Sequence, residues 1–362
     1  MSTDKAVTTA RRRSLITLQL AIGAVLVSLL PLREGYCADS PQAESTEVTA
    51  NPAGETGKTE ISMFVWVGDV MRIDSVAQTF AANVAMAMSW RDPRLASTEP
   101  ALRRYNYRDV WHPNWLITNA VGSLDRSFPE TVSVAPDGTV TYVQRLIGTF
   151  AQPHDLRAFP FDHTTFSVHF AAAGHRPGAV EFVTAKVASA GGEPLVSGIA
   201  SQLTLQDWGI TGSAVRPLPY KVTPTIEIPG YAFEFQAERY SRHYMLKVII
   251  PLLLIVMMSW GAFWFDASMG GMQISVCMSS MLTLIAYRFS VGSDVPKVPY
   301  LTELDSFILI SSILVFLTLV EVIVTTTLVC NKREDLARKI DVTSRYAFPI
   351  AYVLVTTTTF ML

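Results

Sequence analysis

The sequence predicts an exported all-β domain, an immunoglobulin-like sandwich, followed by a bundle of four transmembrane α-helices. Three observations lead to this fold class. Short runs of alternating polar and apolar residues fill positions 60–243, four long apolar segments follow Lys247, and a signal-like segment precedes both. The length of 362 residues allows two compact units. The net charge of −2 gives no basic surface for a nucleic-acid partner.

The N-terminal segment has the pattern of a secretory signal. Three arginines, 11–13, precede an apolar run from Leu15 to Leu30, and small residues follow near Ala38. We therefore expect a cleaved signal peptide over 1–38, although a retained membrane anchor would have a similar pattern. Residues 39–59 are polar and rich in Pro, Gly, Ser and Thr, which predicts a disordered leader.

The segment 60–243 contains strand patterns such as "TVSVAPDGTVTYVQRL" and "YAFEFQAERY". Pro136, Asp137 and Gly138 mark a hairpin turn within the first of them. Repeated short strands without a long amphipathic helix indicate a β-sandwich. The three cysteines of the chain lie outside this segment, so the domain is stabilised by its core without a disulfide.

The segment 244–362 contains four apolar stretches of membrane length, at about 245–265, 272–291, 305–330 and 345–362. The linker "NKREDLARKIDVTSR" is rich in Lys and Arg and is expected to be a cytoplasmic loop. This orientation places the β domain on the extracellular or periplasmic side of the cell (inner) membrane. Glu321 lies inside the third span, where a carboxyl group indicates either a functional site or a hydrogen bond to a neighbouring helix.

Several strings occur in one order along the chain: "SWRDPRLA", "VWHP", "VAPDGTVTYVQR", "DLRAFPFDHTTF", "IIPLLLIVMMSW", "PKVPY" and "RYAFP". This ordered set resembles the pentameric ligand-gated ion channels, the Cys-loop receptor superfamily, and in particular its prokaryotic branch. The resemblance implies a homopentamer in a lipid bilayer that conducts inorganic ions and needs no cofactor. The two cysteines that usually close the signature loop are replaced by Gln152 and Phe166.

The resemblance also implies which residues line the pore. Aligned on "PKVPY", the second span matches the pore-lining helix, and its water-facing positions are Ser275, Ser279, Leu282, Ala286 and Phe289. Steps of three and four residues keep these positions on one helical stripe. Five copies of Leu282 could close such a pore by dewetting. The serines could instead only ease helix packing. Ion selectivity points towards cations, through Asp266 and Asp294 near the two ends of the span.

Matching positions for coupling between the two domains are Asp74, Asp162, Arg239, Lys297, Pro299 and Tyr300. We expect Arg239 to lie between the carboxylates of Asp74 and Asp162. Tyr220 and Tyr231 flank the expected agonist loop. The family's aromatic-box positions are not aromatic here, so the agonist is an unknown small molecule or the proton.

Four histidines between 154 and 175 suggest a pH sensor, a metal site or ordinary exposed loop residues, and their spacing matches no zinc motif. The sequence contains no nucleophile elbow, metal motif or phosphate loop, so we do not expect an enzyme. The alternative to a channel is a membrane-anchored β-sandwich that binds or senses a ligand without conducting ions.

Overall fold

The computed structural model describes residues 50–54, 57–175, 178–185, 187–188, 194–292 and 298–361. The predicted signal peptide, 1–38, lies outside them. The predicted leader ends earlier than expected, because its last described residues are ordered against the β domain. Asn51 Oδ1 accepts a hydrogen bond from the Thr59 hydroxyl at 2.5 Å, and Arg94 donates to the carbonyl of Ala50 at 2.7 Å.

The β domain is a sandwich. Its described strands are β1 Thr59–Asp74, β2 Thr79–Arg91, β3 Arg103–Asn106, β4 Trp115–Ile117, β5 Ala120–Arg126, β6 Thr131–Val134, β7 Thr139–Ala151, β8 His163–Ala172, β9 Val180–Thr184, β10 Val187–Ala188, β11 Pro194–Leu195, β12 Gly198–Ile199, β13 Trp208–Pro217, β14 Tyr220–Thr223, β15 Ile226–Ile228 and β16 Gly230–Arg239. One sheet has the order β12-β1-β2-β7-β6-β3, with β5 on β7 and β9 on β1. The facing sheet has the order β13-β16-β8-β4, and β14-β15 is a separate hairpin.

The sandwich core follows from strict alternation along the strands. In β2 every second residue is buried, and these residues are Phe80, Ala82, Val84, Met86, Met88 and Trp90. Phe80 reaches across to the other sheet, where its ring contacts Phe166 at 5.4 Å and Phe235 at 5.6 Å. Apolar residues with a period of two thus place one face of each sheet in a common core.

Four long helices follow the sandwich: α1 Arg242–Trp264, α2 Gly270–Val291, α3 Glu303–Cys330 and α4 Glu334–Met361. Of the described helices, α1, α2 and α3 are long and apolar enough to cross a membrane. They lie within a few residues of the first three predicted spans. The fourth predicted span, 345–362, corresponds to the second half of α4, which packs its Tyr352 ring against Trp260 at 5.5 Å and Phe307 at 5.9 Å.

The expectation that residues 331–345 form a loop is wrong, because α4 begins at Glu334. The turn before it is short and is made at Asn331 and Lys332, where Lys332 adopts a φ of 60°. The following charged residues are good helix formers with no Gly or Pro among them, so the helix starts as soon as the turn ends. Asp341 and Arg345 therefore lie on a helix that packs against the bundle.

Candidate functional site

The five residues predicted to line a pore share one face of α2. Ser275, Ser279, Leu282, Ala286 and Phe289 are all exposed in the single chain. The exposed fraction reaches 69% for Leu282 and 82% for Phe289. The opposite face packs Cys277, Ser280 and Leu284 into the bundle. The helix therefore has one face that the chain itself leaves uncovered, and it carries both hydroxyls and apolar side chains.

The hydroxyl groups on α2 are arranged in two ways. The Ser275 hydroxyl donates to the carbonyl of Gly271 at 2.8 Å, which leaves its oxygen lone pairs directed away from the backbone. Ser280 lies off this stripe, is buried and donates to the carbonyl of Val276 at 2.9 Å. Only the first of these groups can offer an oxygen to an ion on the exposed face.

Arg239, the last residue of β16, forms a bidentate ion pair with Asp162. Its Nε lies 2.7 Å from Oδ1 and its Nη2 lies 3.1 Å from Oδ2. The two side chains are only 7% and 1% exposed. The backbone N–H of Arg239 also donates to the carbonyl of Asp162 at 3.2 Å. The pair thus fixes the end of the last strand to the loop before β8, immediately before α1 begins.

The prediction that Asp74 is a second carboxylate partner of Arg239 is wrong. The Ser75 hydroxyl, rather than Asp74, accepts from Nη2 of Arg239, at 2.9 Å. Asp74 Oδ1 instead accepts from the backbone N–H groups of Val76 and Ala77 at 3.1 and 2.9 Å. An aspartate at the start of a turn satisfies the local backbone in this way, which takes its carboxylate away from Arg239.

Aromatic rings complete the surroundings of Arg239. The guanidinium lies 4.2 Å from the ring centre of Trp208 and 5.0 Å from that of Phe159. Sequence reasoning did not identify Trp208, although a Trp at the start of a strand that pairs with the end of β16 is a possible signal. The two rings help to shield the guanidinium from water, which strengthens the pair with Asp162.

The loop between β7 and β8 joins the sandwich to the helices. The Tyr300 hydroxyl accepts from the backbone N–H of Leu156 at 3.1 Å. The first N–H groups of α3, on Glu303 and Leu304, donate to the carbonyls of Arg157 and Phe159 at 2.8 and 3.2 Å. Tyr300 thus lies where the predicted coupling loop meets the β domain. Pro299 is exposed next to it, and Lys297 lies outside the described residues.

Hydrogen bonds close this loop where the family has a disulfide. Gln152 Oε1 accepts from the backbone N–H and the hydroxyl of Ser167, at 3.0 and 2.8 Å. The Asn119 amide donates to the carbonyls of Ala151 and Ser167 at 3.0 and 2.8 Å. The second predicted closing position, Phe166, instead faces the core. Side-chain amides therefore hold the two ends of the loop together.

The histidines are not all exposed loop residues. His154 is buried, and His169 lies within β8, where its Nε2 is 2.8 Å from the Ser167 hydroxyl. Burial lowers the pKa of His169 below the ordinary value. Burial also lowers the pKa of His112 and His175, and each of these rings contacts an aromatic ring. Among the described residues, no group of three or more His, Cys, Asp or Glu could hold a metal ion.

The two predicted ligand tyrosines lie in different surroundings. Tyr220 begins the hairpin β14-β15 and is exposed. Tyr231 is fully buried, with its hydroxyl 3.3 Å from Thr184 Oγ1, so we correct its assignment from ligand contact to core residue. A shallow cleft of about 320 Å³ lies at the base of the hairpin and is lined in part by Lys58, Glu181 and Glu227.

Tyr287 is a link between α2 and α1 that the sequence analysis missed. Its hydroxyl lies 2.9 Å from the carbonyl oxygen of Lys247 and 2.8 Å from that of Val248. Pro251 has no N–H to offer the carbonyl four residues before it, and residues 245–249 form a π-helical turn. Tyr287 therefore satisfies carbonyls that this part of α1 leaves available.

Glu321, the predicted intramembrane carboxyl group, lies on α3 and is directed towards Asp341 and Ser344 of α4. It is half-buried and lies at the end of the bundle remote from the β domain. Glu321 thus has neighbours on another helix, but neither of its carboxyl oxygens has a hydrogen-bond partner among the described residues.

Comparison with known proteins agrees with this arrangement. A family model for the neurotransmitter-gated ion-channel ligand-binding domain matches residues 46–207, and one for the transmembrane region of these channels matches 248–335. Together they cover more than half of the chain. The chain is also similar to the proton-gated ion channel of Gloeobacter violaceus, with 25% identity over 296 residues, 80% of this chain and 79% of the relative. The family inferred from the motifs is thus confirmed, and the chain belongs to the pentameric ligand-gated ion channels, a family of membrane channels and not of enzymes.

Proposed function

We propose that five copies of this chain surround a central pore lined by α2, which passes cations when an agonist acts on the extracellular β domain. The observation that carries the proposal is the uncovered stripe of α2, from Ser275 to Phe289. A helix in a folded bundle has no reason to leave hydroxyls and a phenyl ring on the same open face unless other copies and water meet it there.

The stripe has two zones with different roles. Ser275 and Ser279, in the half remote from the β domain, supply small oxygen groups that replace part of the hydration shell of an ion. Leu282, Ala286 and Phe289, nearer the β domain, supply apolar rings. A ring of five Leu282 side chains closes the pore in the resting state, because a narrow apolar constriction empties of water.

Cation passage follows from the charges and dipoles near the narrow zone. The Ser275 hydroxyl proton is used by the backbone, so its oxygen faces the pore as an acceptor. Asp266 lies just before α2, and the backbone N–H of Ser268 holds its pKa below the usual range. Asp266 therefore stays ionised at neutral pH, and five copies concentrate cations at this mouth.

The agonist acts on the β domain at the interfaces between subunits, near the exposed hairpin that contains Tyr220. It is a small molecule or the proton. The similar channel of Gloeobacter violaceus is described as proton-gated, which favours the proton as the first agonist to test. His112, His169 and His175, which are half-buried in this domain, are groups that would charge as the pH falls.

The movement reaches the pore by two routes. One runs from β16 through the Arg239–Asp162 pair into α1 and, through Tyr287, to α2. The other runs from the β7–β8 loop through Tyr300 to the start of α3. Gating is then a shift between two states, in which the agonist prefers the open one. The Lys and Arg residues between 332 and 345, at the start of α4, favour a cytoplasmic position for this end of the bundle, so we infer that the assembly lies in the inner membrane with the β domain in the periplasm.

The test is current recording from purified protein in planar bilayers during steps to acidic pH and applications of small amines. Leu282→Ala should increase the resting current or lower the agonist level needed for opening. Leu309→Ala, an exposed leucine on α3, is the matched control and should behave like the parent. Reversal potentials in asymmetric salt give the sign of the ion, and Asp266→Asn should reduce cation preference.

Two results would contradict the proposal. If all variants are silent across the agonist screen and the protein is not five-fold by native mass measurement, the chain is a non-conducting sensor. If currents occur but Leu282→Ala and Leu309→Ala change them equally, α2 does not line the pore.

A further inference from the structure

The ends of α2, α3 and α4 remote from the β domain enclose a pair of carboxyl groups that the pore does not use. Glu321 of α3 and Asp341 of α4 are neighbours where these two helices pack together, and Ser344 of α4 lies beside Glu321. Asp341 is 3% exposed. Two acidic groups from different helices thus meet inside the bundle, where Asp341 is buried and Glu321 is half-buried.

The pair is poorly satisfied when both groups are ionised. Neither oxygen of Glu321, nor Oδ1 of Asp341, meets a hydrogen-bond donor in the part of the chain that the structure describes. An ionised carboxylate can only accept, and two of them at contact distance repel each other. A proton held by one group turns it into a donor for the other. The shared proton thus removes the repulsion and supplies a hydrogen bond between the two groups.

The nearby positive charge is sufficient for only one of the two groups. Arg345 lies next to Asp341, but its Nε donates to the carbonyl of Phe263 at 2.8 Å and its guanidinium lies 5.9 Å from the ring centre of Trp264. One guanidinium balances one carboxylate. The second carboxyl group of the pair must therefore be neutral, because a second negative charge inside the bundle would have no compensating positive charge.

The other titratable neighbours do not supply a second positive charge. Asp266, on the turn before α2, adds negative charge near Asp341 and itself faces Arg338. Cys277 of α2 lies close to Glu321 and is buried. These groups make the surroundings of the pair more negative or leave them unchanged.

A buried amide from α2 points to the same place. Gln273 is fully buried and its side chain faces Asp341. Its Nε2 donates to the carbonyl of Phe265 at 3.2 Å, while its Oε1 meets no donor among the described residues. A buried amide oxygen without a donor, next to Asp341, whose Oδ1 also lacks one, is a second sign that a hydrogen is bound in this cluster.

We propose that Glu321 and Asp341 form a proton-binding site in which one shared proton joins α3 to α4 and, through Gln273, to the base of α2. With the proton bound, the pair carries one negative charge, balanced by Arg345. When the proton is lost, repulsion separates α4 from α3. The site thus makes the packing of α4 against the bundle depend on pH, independently of any agonist site in the β domain.

The test is infrared difference spectroscopy of the purified full-length protein as the pH is raised from neutral. We expect the band of a protonated carboxyl group at neutral pH and its loss on alkalinisation. Glu321→Gln and Asp341→Asn should each abolish the band, because the new amide donates to the remaining carboxylate. Asp335→Asn, an exposed acid on the same helix, is the matched control and should keep it.

A second measurement uses thermal unfolding of the same proteins. A group that holds its proton more tightly when folded loses its stabilising effect as the pH rises, so the unfolding temperature of the parent should fall on alkalinisation. Glu321→Gln should remove this dependence. A parent without the neutral-pH band, a band retained by both amide variants, or identical pH profiles for parent and Glu321→Gln would each overturn the proposal. None of these measurements requires an ion current, so they are independent of the proposed channel activity.

Discussion

Arg239 shows how one side chain can fix the end of the β domain immediately before the first membrane helix. Its guanidinium satisfies Asp162 with two hydrogen bonds, Ser75 with a third, and packs between Trp208 and Phe159. A buried ion pair adds little net stability compared with apolar residues, but it is costly to break on one side. The pair therefore contributes mainly by fixing the end of β16 to the β7–β8 loop, just before α1 begins.

Replacing Arg239 by Gln should therefore destabilise the protein by about 3–5 kcal/mol, since Asp162 is left as an unpaired buried charge. Asp162→Asn in the same chain should restore part of the loss. Denaturant unfolding of the two single variants and the double variant measures the coupling between them.

The exposed pair Arg216–Glu234, on neighbouring strands β13 and β16, is the matched control. Its distance is 2.7 Å, as short as that of the buried pair. Because water screens it, Arg216→Gln should change the stability much less than Arg239→Gln does. Equal losses for Arg239→Gln and Arg216→Gln would show that burial does not decide the strength of these pairs.

His169 should make the stability of the β domain depend on pH. Burial lowers its pKa when folded below the value of 6.5 expected when unfolded. The unfolded chain therefore takes up the proton first as the pH falls, so stability is complete above about pH 6.5 and is lost on acidification. The unfolding temperature should fall between neutral and acidic pH, and less steeply in His169→Asn. His163→Asn, at the exposed start of β8, should keep the steep profile; if it flattens the profile equally, His169 is not responsible.

At the scale of elements, α1 and α2 are joined by a hydrogen bond from a side chain to available carbonyls. Tyr287→Phe removes only the hydroxyl that contacts Lys247 and Val248. We expect a loss of about 1–2 kcal/mol in stability, because the carbonyls of Lys247 and Val248 lose their hydrogen bonds. We also expect a higher agonist level for half-maximal current, because α1 and α2 are then coupled more weakly. Tyr346→Phe, an exposed tyrosine on α4, is the control, and a similar change there would contradict this role.

The elements that sequence reasoning found were those with a strong period. Buried and less buried residues alternate strictly along β2, so the sequence shows which face of this strand lies in the core. The helices α1, α2 and α3 are long apolar runs, which the sequence also shows directly. The stripe on α2 and the Arg239–Asp162 contact could also be anticipated from the motifs. In each case the decisive residues lie within a regular element or at its end.

The misses have a common physical origin. Asp74 was expected to pair with Arg239, but an aspartate at a turn has backbone donors close at hand, and the sequence does not show which partner is nearer. Asp341 was counted as part of a charged loop, although α4 includes it. Tyr287 lies in an apolar helix and has no pattern that distinguishes packing from a hydrogen bond to another helix. Long-range partners of polar groups depend on the tertiary fold.

At the scale of the whole molecule, the end of the chain returns to the β domain. The ring of Phe161, in the β7–β8 loop, contacts the ring of Phe360 near the end of α4 edge-on, with centres 5.6 Å apart. Phe360 also contacts Phe307 of α3 at 5.4 Å. The last turn of α4 therefore contacts both the β7–β8 loop of the β domain and helix α3.

Phe360→Ala should lower the stability of the protein by about 1 kcal/mol or more, since aromatic pairs contribute about 0.5–1.5 kcal/mol beyond the area that they bury. Thermal unfolding measures this loss. Phe316→Ala, an exposed phenylalanine on α3, is the control. A larger effect at Phe316 would indicate that the end of α4 is not docked.

The closure of the β7–β8 loop by Gln152 and Ser167 has a consequence for how this protein can be made and where it can work. A loop held by hydrogen bonds needs no oxidant to form and has no reduction potential at which it opens. The β domain, 60–243, contains no cysteine at all. Thiol reductants should therefore leave unchanged both the unfolding temperature of the β domain and the currents of the whole channel. The domain should also fold in a reducing cytoplasm or a cell-free extract as readily as after export.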